Sequence, residues 1–154
     1  MRGRCHVRPD RERGFSLVEV LVAMVVIAVG MLGVAVLYVE GMKAGRTSIY
    51  RTSAVNLAAD LADRMRANPT GAVSYSGAAA DTGCTNGFID CSPEQLAQED
   101  LWSWTRDIGE RLPAGADGEV LVAPGDLTNR YTIRVTWDEA GFDQPQVYAV
   151  TFDM

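Results

Sequence analysis

From Val20 to Val39 the chain runs 20 residues without a charge. At 1.5 Å per residue a helix of that length spans about 30 Å, the thickness of a bilayer core. The pattern then changes. Ala54, Leu57, Ala58, Leu61 and Met65 recur at intervals of three and four, so they share one face of a continuing helix. Asp60 and Arg64 stand one turn apart on another face, a favourable exposed pair. Asn68 precedes Pro69 and so avoids helical angles, which predicts a helix end near residue 68. Residues 70–91 carry no sustained period and are dominated by small side chains, which predicts a loop. Ser92-Pro93-Glu94-Gln95 reads as a helix start: serine as N-cap, proline at the first helical position, glutamine closing a capping box. Ala97, Leu101, Trp104, Ile108 and Leu112 form the apolar stripe of that helix, predicted over about 93–112, and Trp102 points elsewhere.

Three later segments, 119–123, 131–137 and 147–152, are rich in β-branched and aromatic residues and alternate in polarity. In the middle one Tyr131, Ile133, Val135 and Trp137 face one way, and Thr132, Arg134 and Thr136 the other. Short connections between consecutive strands predict an antiparallel meander over about 119–152. The expected fold class is therefore α+β. A long N-terminal helix packs its second half on a small antiparallel β-sheet, with one extra helix.

Charge is segregated as sharply as hydropathy. Of 14 basic and 20 acidic residues, residues 1–14 hold five and two (Arg2, Arg4, Arg8, Arg11 and Arg13 against Asp10 and Glu12). The remainder holds nine and 18, a balance of −9. Such a body repels phosphate and has few cations with which to release counterions, so no nucleic-acid partner is expected. The same balance argues against a DNA-uptake role. No 20–50-residue period is present, which excludes a repeat protein.

Three cysteines occur: Cys5 in the basic leader, and Cys84 and Cys91 in the body. If the body lies outside the cytoplasm, Cys84 and Cys91 read as a small-loop disulfide; two free thiols are the alternative. Their spacing fits no common zinc signature, and His6, the only histidine, is far away in the leader. Asp81, Asn86 and Asp90 lack the spacing and closing glutamate of an EF-hand, so no metal and no cofactor are expected. Nor does a catalytic constellation stand out. No histidine follows residue 14, Lys43 is the only lysine, and Asp138 and Glu139 read as solvated turn residues. An anchored periplasmic hydrolase is thus disfavoured, and no enzymatic activity is expected.

The apolar run is too long for the core of a secretory signal, and no small-residue cleavage site follows it. Arginines precede it, so the positive-inside rule places the N-terminus in the cytoplasm and the body outside. Glu19, at the start of the run, is awkward for a plain anchor. A carboxylate at mid-membrane costs on the order of 2.5–3.5 kcal/mol, less near the edge. Counted from Phe15 as a new first residue, however, Glu19 is the fifth, and Gly14 is the last residue removed.

The segment "RGFSLVEVLVAMVVIAVGMLG" resembles the N-terminus of type IV pilins and pseudopilins. The resemblance implies cleavage after Gly14 by a membrane prepilin peptidase and N-methylation of Phe15. It gives Glu19 the role of assembly carboxylate, meeting the new N-terminal ammonium of a neighbouring subunit. A buried pair of that kind gives register more reliably than stability. Three parts are implied: a leader 1–14, a transmembrane and assembly helix 15–40, and a periplasmic head 41–154.

Beyond the N-terminus, "YRTSAVNLAADLADRMRANP" and, more loosely, "DLWSWTRDIGERLPAGADGEV" look like the PilV group of minor pilins. That resemblance implies a subunit of a complex that primes and caps a type IV pilus. Its partners would be other minor pilins, the major pilin and a large tip adhesin. The route implied is the bacterial inner membrane first and the fibre at the cell surface later. A type II secretion pseudopilin shares the leader and fold. By analogy, the presence of Glu19 argues that another subunit sits above this one.

Overall fold

The computed structural model describes residues 14–87, 90–125 and 128–154. The basic leader therefore lies outside the described residues, apart from Gly14. The elements in chain order are α1 (Leu17–Ala67), two 3-10 helices (Pro69–Ser76 and Cys84–Asn86), α2 (Pro93–Arg111), β1 (Asp117–Ala123), β2 (Arg130–Trp137) and β3 (Gln146–Asp153). The chain divides into two compact units at residue 43.

In the first unit every described residue is exposed. α1 is here apolar on all sides, with a mean hydropathy of 3.0 over its most apolar window, long and apolar enough to cross a membrane. In the second unit, 44–154, the same helix becomes one-sided. Ala54, Leu57, Ala58, Leu61, Ala62 and Met65 are buried, and their helical neighbours Val55, Asn56, Ala59 and Asp60 are exposed. The buried stripe joins one core with Ala97, Trp104 and Ile108 of α2 and Tyr131, Ile133 and Val135 of β2. Trp104 donates its indole N–H to the Leu57 carbonyl at 2.9 Å, which ties α2 to α1 within that core.

The sheet is an antiparallel meander in the order β1-β2-β3. Register pairs Val120 with Ile133 and Ile133 with Val150, so the buried residues of the central strand line up with inward residues on both sides. Tyr131, Ile133, Val135 and Trp137 are all buried, as the alternation predicts. On the outer face Arg134 pairs with Glu119, and Arg130 makes a two-pronged contact with Asp153. Gly118 in β1 sits against Ile108 and Trp104, where a Cβ would collide with both side chains. Glycine thereby lets the strand approach α2.

The capping box at Ser92 forms as expected: the serine oxygen accepts from Gln95 N–H, and the glutamine oxygen from Ser92 N–H. Two expectations need correction. Residues 70–91 are not simply a loop, because Pro69–Ser76 forms a 3-10 helix with Gly71, Ala72 and Tyr75 buried. Asn68 starts it by accepting from Gly71 N–H, while its amide donates to the Pro93 carbonyl at 2.8 Å. A 3-10 turn repeats every three residues over short stretches and leaves no α-helical signature. Glu139 is not a solvated turn residue: it is 6% exposed, and Thr47 on α1 donates its hydroxyl to it. Asp138 is exposed. The expected Asp60–Arg64 pair forms, at 2.9 Å, and reaches further than one helix face. Arg64 also donates to Asp100 at 3.2 Å and to Ser103 at 2.9 Å on α2. Trp102, off the stripe, is half-buried under the Arg106 guanidinium.

Candidate processing and assembly site

Gly14 and Phe15 precede the first turn of α1 in non-helical, exposed backbone, and Phe15 is 82% exposed. The peptide bond between them is thus free of helical hydrogen bonding and open to approach. Helix formation starts at once afterwards. The Ser16 carbonyl accepts from Glu19 N–H at 3.1 Å and from Val20 N–H at 3.3 Å, and its hydroxyl accepts from Glu19 N–H at 3.2 Å. Ser16 is the N-cap of α1, and Glu19 stands at the third helical position, the spacing of a capping box. A carboxylate in the first turn also faces the positive end of the helix dipole.

Ser16 was missed by sequence reasoning, although the signal is present as Ser-Leu-Val-Glu directly before an apolar run. The cap positions Glu19 in the first turn, where it helps start the helix within a lone chain. Phe15 and Glu19 are four residues apart. Bonded to Gly14, the Phe15 nitrogen is a neutral peptide N–H, so it is no cation for Glu19 to meet.

The second predicted feature lies in the other unit. Cys84 and Cys91 form a disulfide with a sulfur–sulfur distance of 2.07 Å. Phe88 and Ile89 inside this loop lie outside the described residues. The segment before the disulfide is held by Glu99, which sequence reasoning did not single out. This side chain, 2% exposed, accepts from Thr82 N–H at 2.7 Å, Gly83 N–H at 3.0 Å and the Thr85 hydroxyl at 2.9 Å. Burial alone would raise the Glu99 carboxyl, but the hydrogen bonds from Thr82, Thr85 and Gly83 outweigh it and hold the group below its usual value. Gly83 adopts a left-handed conformation, φ 75°, which turns its N–H beside that of Thr82 onto one carboxylate oxygen. Asp81, an oxygen donor considered above, instead accepts from Gly83 N–H.

Next to Glu99, Asp100 accepts from the Tyr75 hydroxyl at 2.6 Å and from Arg64, joining the 3-10 helix to α1 and α2. Burial and this neighbouring carboxylate both push the Tyr75 phenol up, so it remains a proton donor. These polar residues hold the head together. They converge on no nucleophile and base, and among the described residues no three His, Cys, Asp or Glu side chains gather as a metal site.

Residues 9–35 match the family model described as the prokaryotic N-terminal methylation motif, and residues 36–102 match the model described as type IV pilin Tt1218. No curated protein and no solved structure matches the chain.

Proposed function

We propose that this chain is a type IV pilin, and within that family a minor pilin of the PilV group, a reading supported by the matches of residues 36–102 to the type IV pilin model and of residues 9–35 to the N-terminal methylation motif. In this reading it belongs to a priming and tip complex that promotes pilus assembly. A prepilin peptidase removes 1–14 by cutting between Gly14 and Phe15, and Phe15 becomes the methylated N-terminus. Before assembly the chain is a single-pass protein of the inner membrane, with its N-terminus in the cytoplasm and its head in the periplasm. After assembly it lies in the fibre beside other minor pilins and the major pilin, below a large tip adhesin. Its role is structural, with no catalytic step.

The observation that carries the reading is one arrangement. An exposed, non-helical Gly14–Phe15 junction opens directly onto a capped helix whose fifth residue from that junction is Glu19 and whose following 20 residues are uncharged. Cutting the junction creates a cation at the end of an apolar helix that already bears a carboxylate one turn later. A neighbouring subunit displaced by one step along a bundle brings amine and carboxylate together where water is excluded. There an unpaired charge is strongly disfavoured, so pairing sets the step.

Mass spectrometry of sheared fibres tests the reading directly. The expected product begins at N-methyl-Phe15, and recovery of the chain with its leader intact overturns it. Incorporation into pili rather than into a secretion pseudopilus is tested by deleting the chain and counting surface pili. A normal pilus count together with loss of protein export would assign it to the type II secretion reading instead.

A further inference from the structure

Charge in the first turns past the apolar run departs from the trend of the body. Residues 41–59 hold Lys43, Arg46 and Arg51 and no acid, although residues 15–154 carry nine basic and 18 acidic residues. The structure sets two of these cations apart. From Arg64 to Arg134, each described arginine pairs with a carboxylate. Lys43 pairs with Glu40 at 3.1 Å. Arg46 and Arg51 are exposed, and among the described residues no carboxylate pairs with either. Glu139, the acid that folding brings to this end of the head, is buried and accepts from the Thr47 hydroxyl. Acids outnumber bases two to one in the body, so a shortage of carboxylates does not explain two unpaired guanidiniums.

We propose that Arg46 and Arg51 form a contact surface for the anionic phospholipid headgroups of the membrane that holds the apolar run. The inference rests on the reading of residues 15–40 as a membrane helix. Position in the chain names lipid as the partner. Arg46 and Arg51 follow Val39, the end of the uncharged run, by seven and 12 residues. Along a helix that is about 10 and 18 Å. Headgroups extend about 5–7 Å beyond the hydrocarbon on each side of a bilayer. Side chains on a helix lean towards its N-terminus, here back towards the run. Arg46 thereby brings its guanidinium down to the phosphates. Arg51, about 8 Å higher, acts on them through roughly a Debye length of solution. A guanidinium grips phosphate through two parallel N–H bonds, and each basic residue near an anionic surface adds to the attraction. The rest of the body is more acidic still and is repelled by such a surface, so attraction is confined to these turns. The pair holds the chain at one depth, and entry into a fibre requires giving up these headgroups.

The test uses the full chain with Met42, an exposed residue one helical turn before Arg46, replaced by photoreactive p-benzoylphenylalanine. The chain is reconstituted into vesicles of phosphatidylcholine and phosphatidylglycerol and irradiated, and its adducts are identified by mass spectrometry. A probe at this position samples the lipid beside Arg46 and not the lipid gathered by the leader arginines. Phosphatidylglycerol should be at least threefold enriched in the adducts over its share in the bilayer. Arg46→Gln should remove most of that enrichment, Arg51→Gln a smaller part, and the two together all of it. Arg106→Gln with Arg111→Gln makes the same change of charge on α2 and should leave the enrichment unaltered. Adducts that follow the bilayer composition in the chain with both arginines overturn the proposal. So does enrichment that survives Arg46→Gln with Arg51→Gln, or that is lost equally in the α2 variant. Adducts to a second copy of the chain in place of lipid assign the arginines to its acidic head and also overturn it. A chain that gives no lipid adduct of either kind is a different result: it refutes the membrane reading of 15–40, and the proposal with it.

Discussion

Residues 20–39 and 54–65 lie in one helix, yet they face opposite requirements. The first stretch is apolar all round and wholly exposed; the second is apolar on one face, and that face is buried. A helix that is uniformly apolar has no side to turn towards a protein core, and its natural surroundings are lipid or other helices like itself. A striped helix has one side to bury and one to keep in water. The contrast shows that this chain carries two kinds of stability. That of 44–154 lies within the chain, in its own packing, whereas that of 14–43 has to come from whatever surrounds it.

The sharpest break of this contrast is at the junction. Replacing Gly14 by Arg should abolish processing and fibre incorporation altogether, with an immunoblot showing only the leader-bearing chain at normal amount. Mature-length protein in that variant would refute the assignment of the junction. Glu19→Ala should insert into the membrane normally and lower incorporation into sheared pili at least tenfold. Glu19→Gln separates the proposed assembly pairing from capping, since an amide can still serve the cap but cannot form an ion pair with an ammonium. Incorporation restored by Gln would reassign Glu19 to helix capping.

Within the head, Trp104→Ala removes a buried ring and its bond to Leu57, and should lower unfolding stability by about 3–5 kcal/mol. Ile27→Ala, in the exposed half of α1, should change the same unfolding stability by less than about 0.5 kcal/mol. Equal effects would collapse the distinction between the two regions. The Cys84→Ser, Cys91→Ser double variant should lower head stability by about 2.5 kcal/mol, the loop-entropy value for so short a ring. Alkylation of both thiols in unreduced wild-type protein would show that the bond does not form.

The smallest effect is pH-dependent. Glu99 titrates lower in the folded head than its ordinary value of 4.5, so its stabilisation is present above that pH and is lost as the pH falls through the folded value. Glu99→Gln should flatten that part of the stability profile in acid titration monitored by tryptophan fluorescence. An unchanged slope would place the acid sensitivity elsewhere.

Much of the fold was legible because the relevant signals are local. The charge-free run, the stripe at 54–65, the capping box at Ser92 and the alternation of β2 each depend on residues within a few positions of one another. The strands were found with boundaries one or two residues short, where Asp117, Arg130 and Asp153 continue the ladder but break the apolar alternation. Ser16 is legible too, as a serine three residues before a glutamate at the head of an apolar run.

What stayed hidden has a common cause. Glu99, Asp100 and Glu139 look like surface carboxylates in the sequence, because an acidic residue is buried only when donors from elsewhere meet it. For Glu99 those donors lie 14 to 17 residues away in the chain, and for Glu139 the Thr47 hydroxyl lies 92 away. The place of β3 at the edge of the sheet is likewise invisible in a strand's own residues, since being an edge is a property of sheet order. Period, capping and charge segregation, which act along the chain, were determined by the sequence alone. The burial of charge, the 3-10 packing of Tyr75 and the order of the strands were decided by tertiary structure, because each depends on groups that only folding brings together.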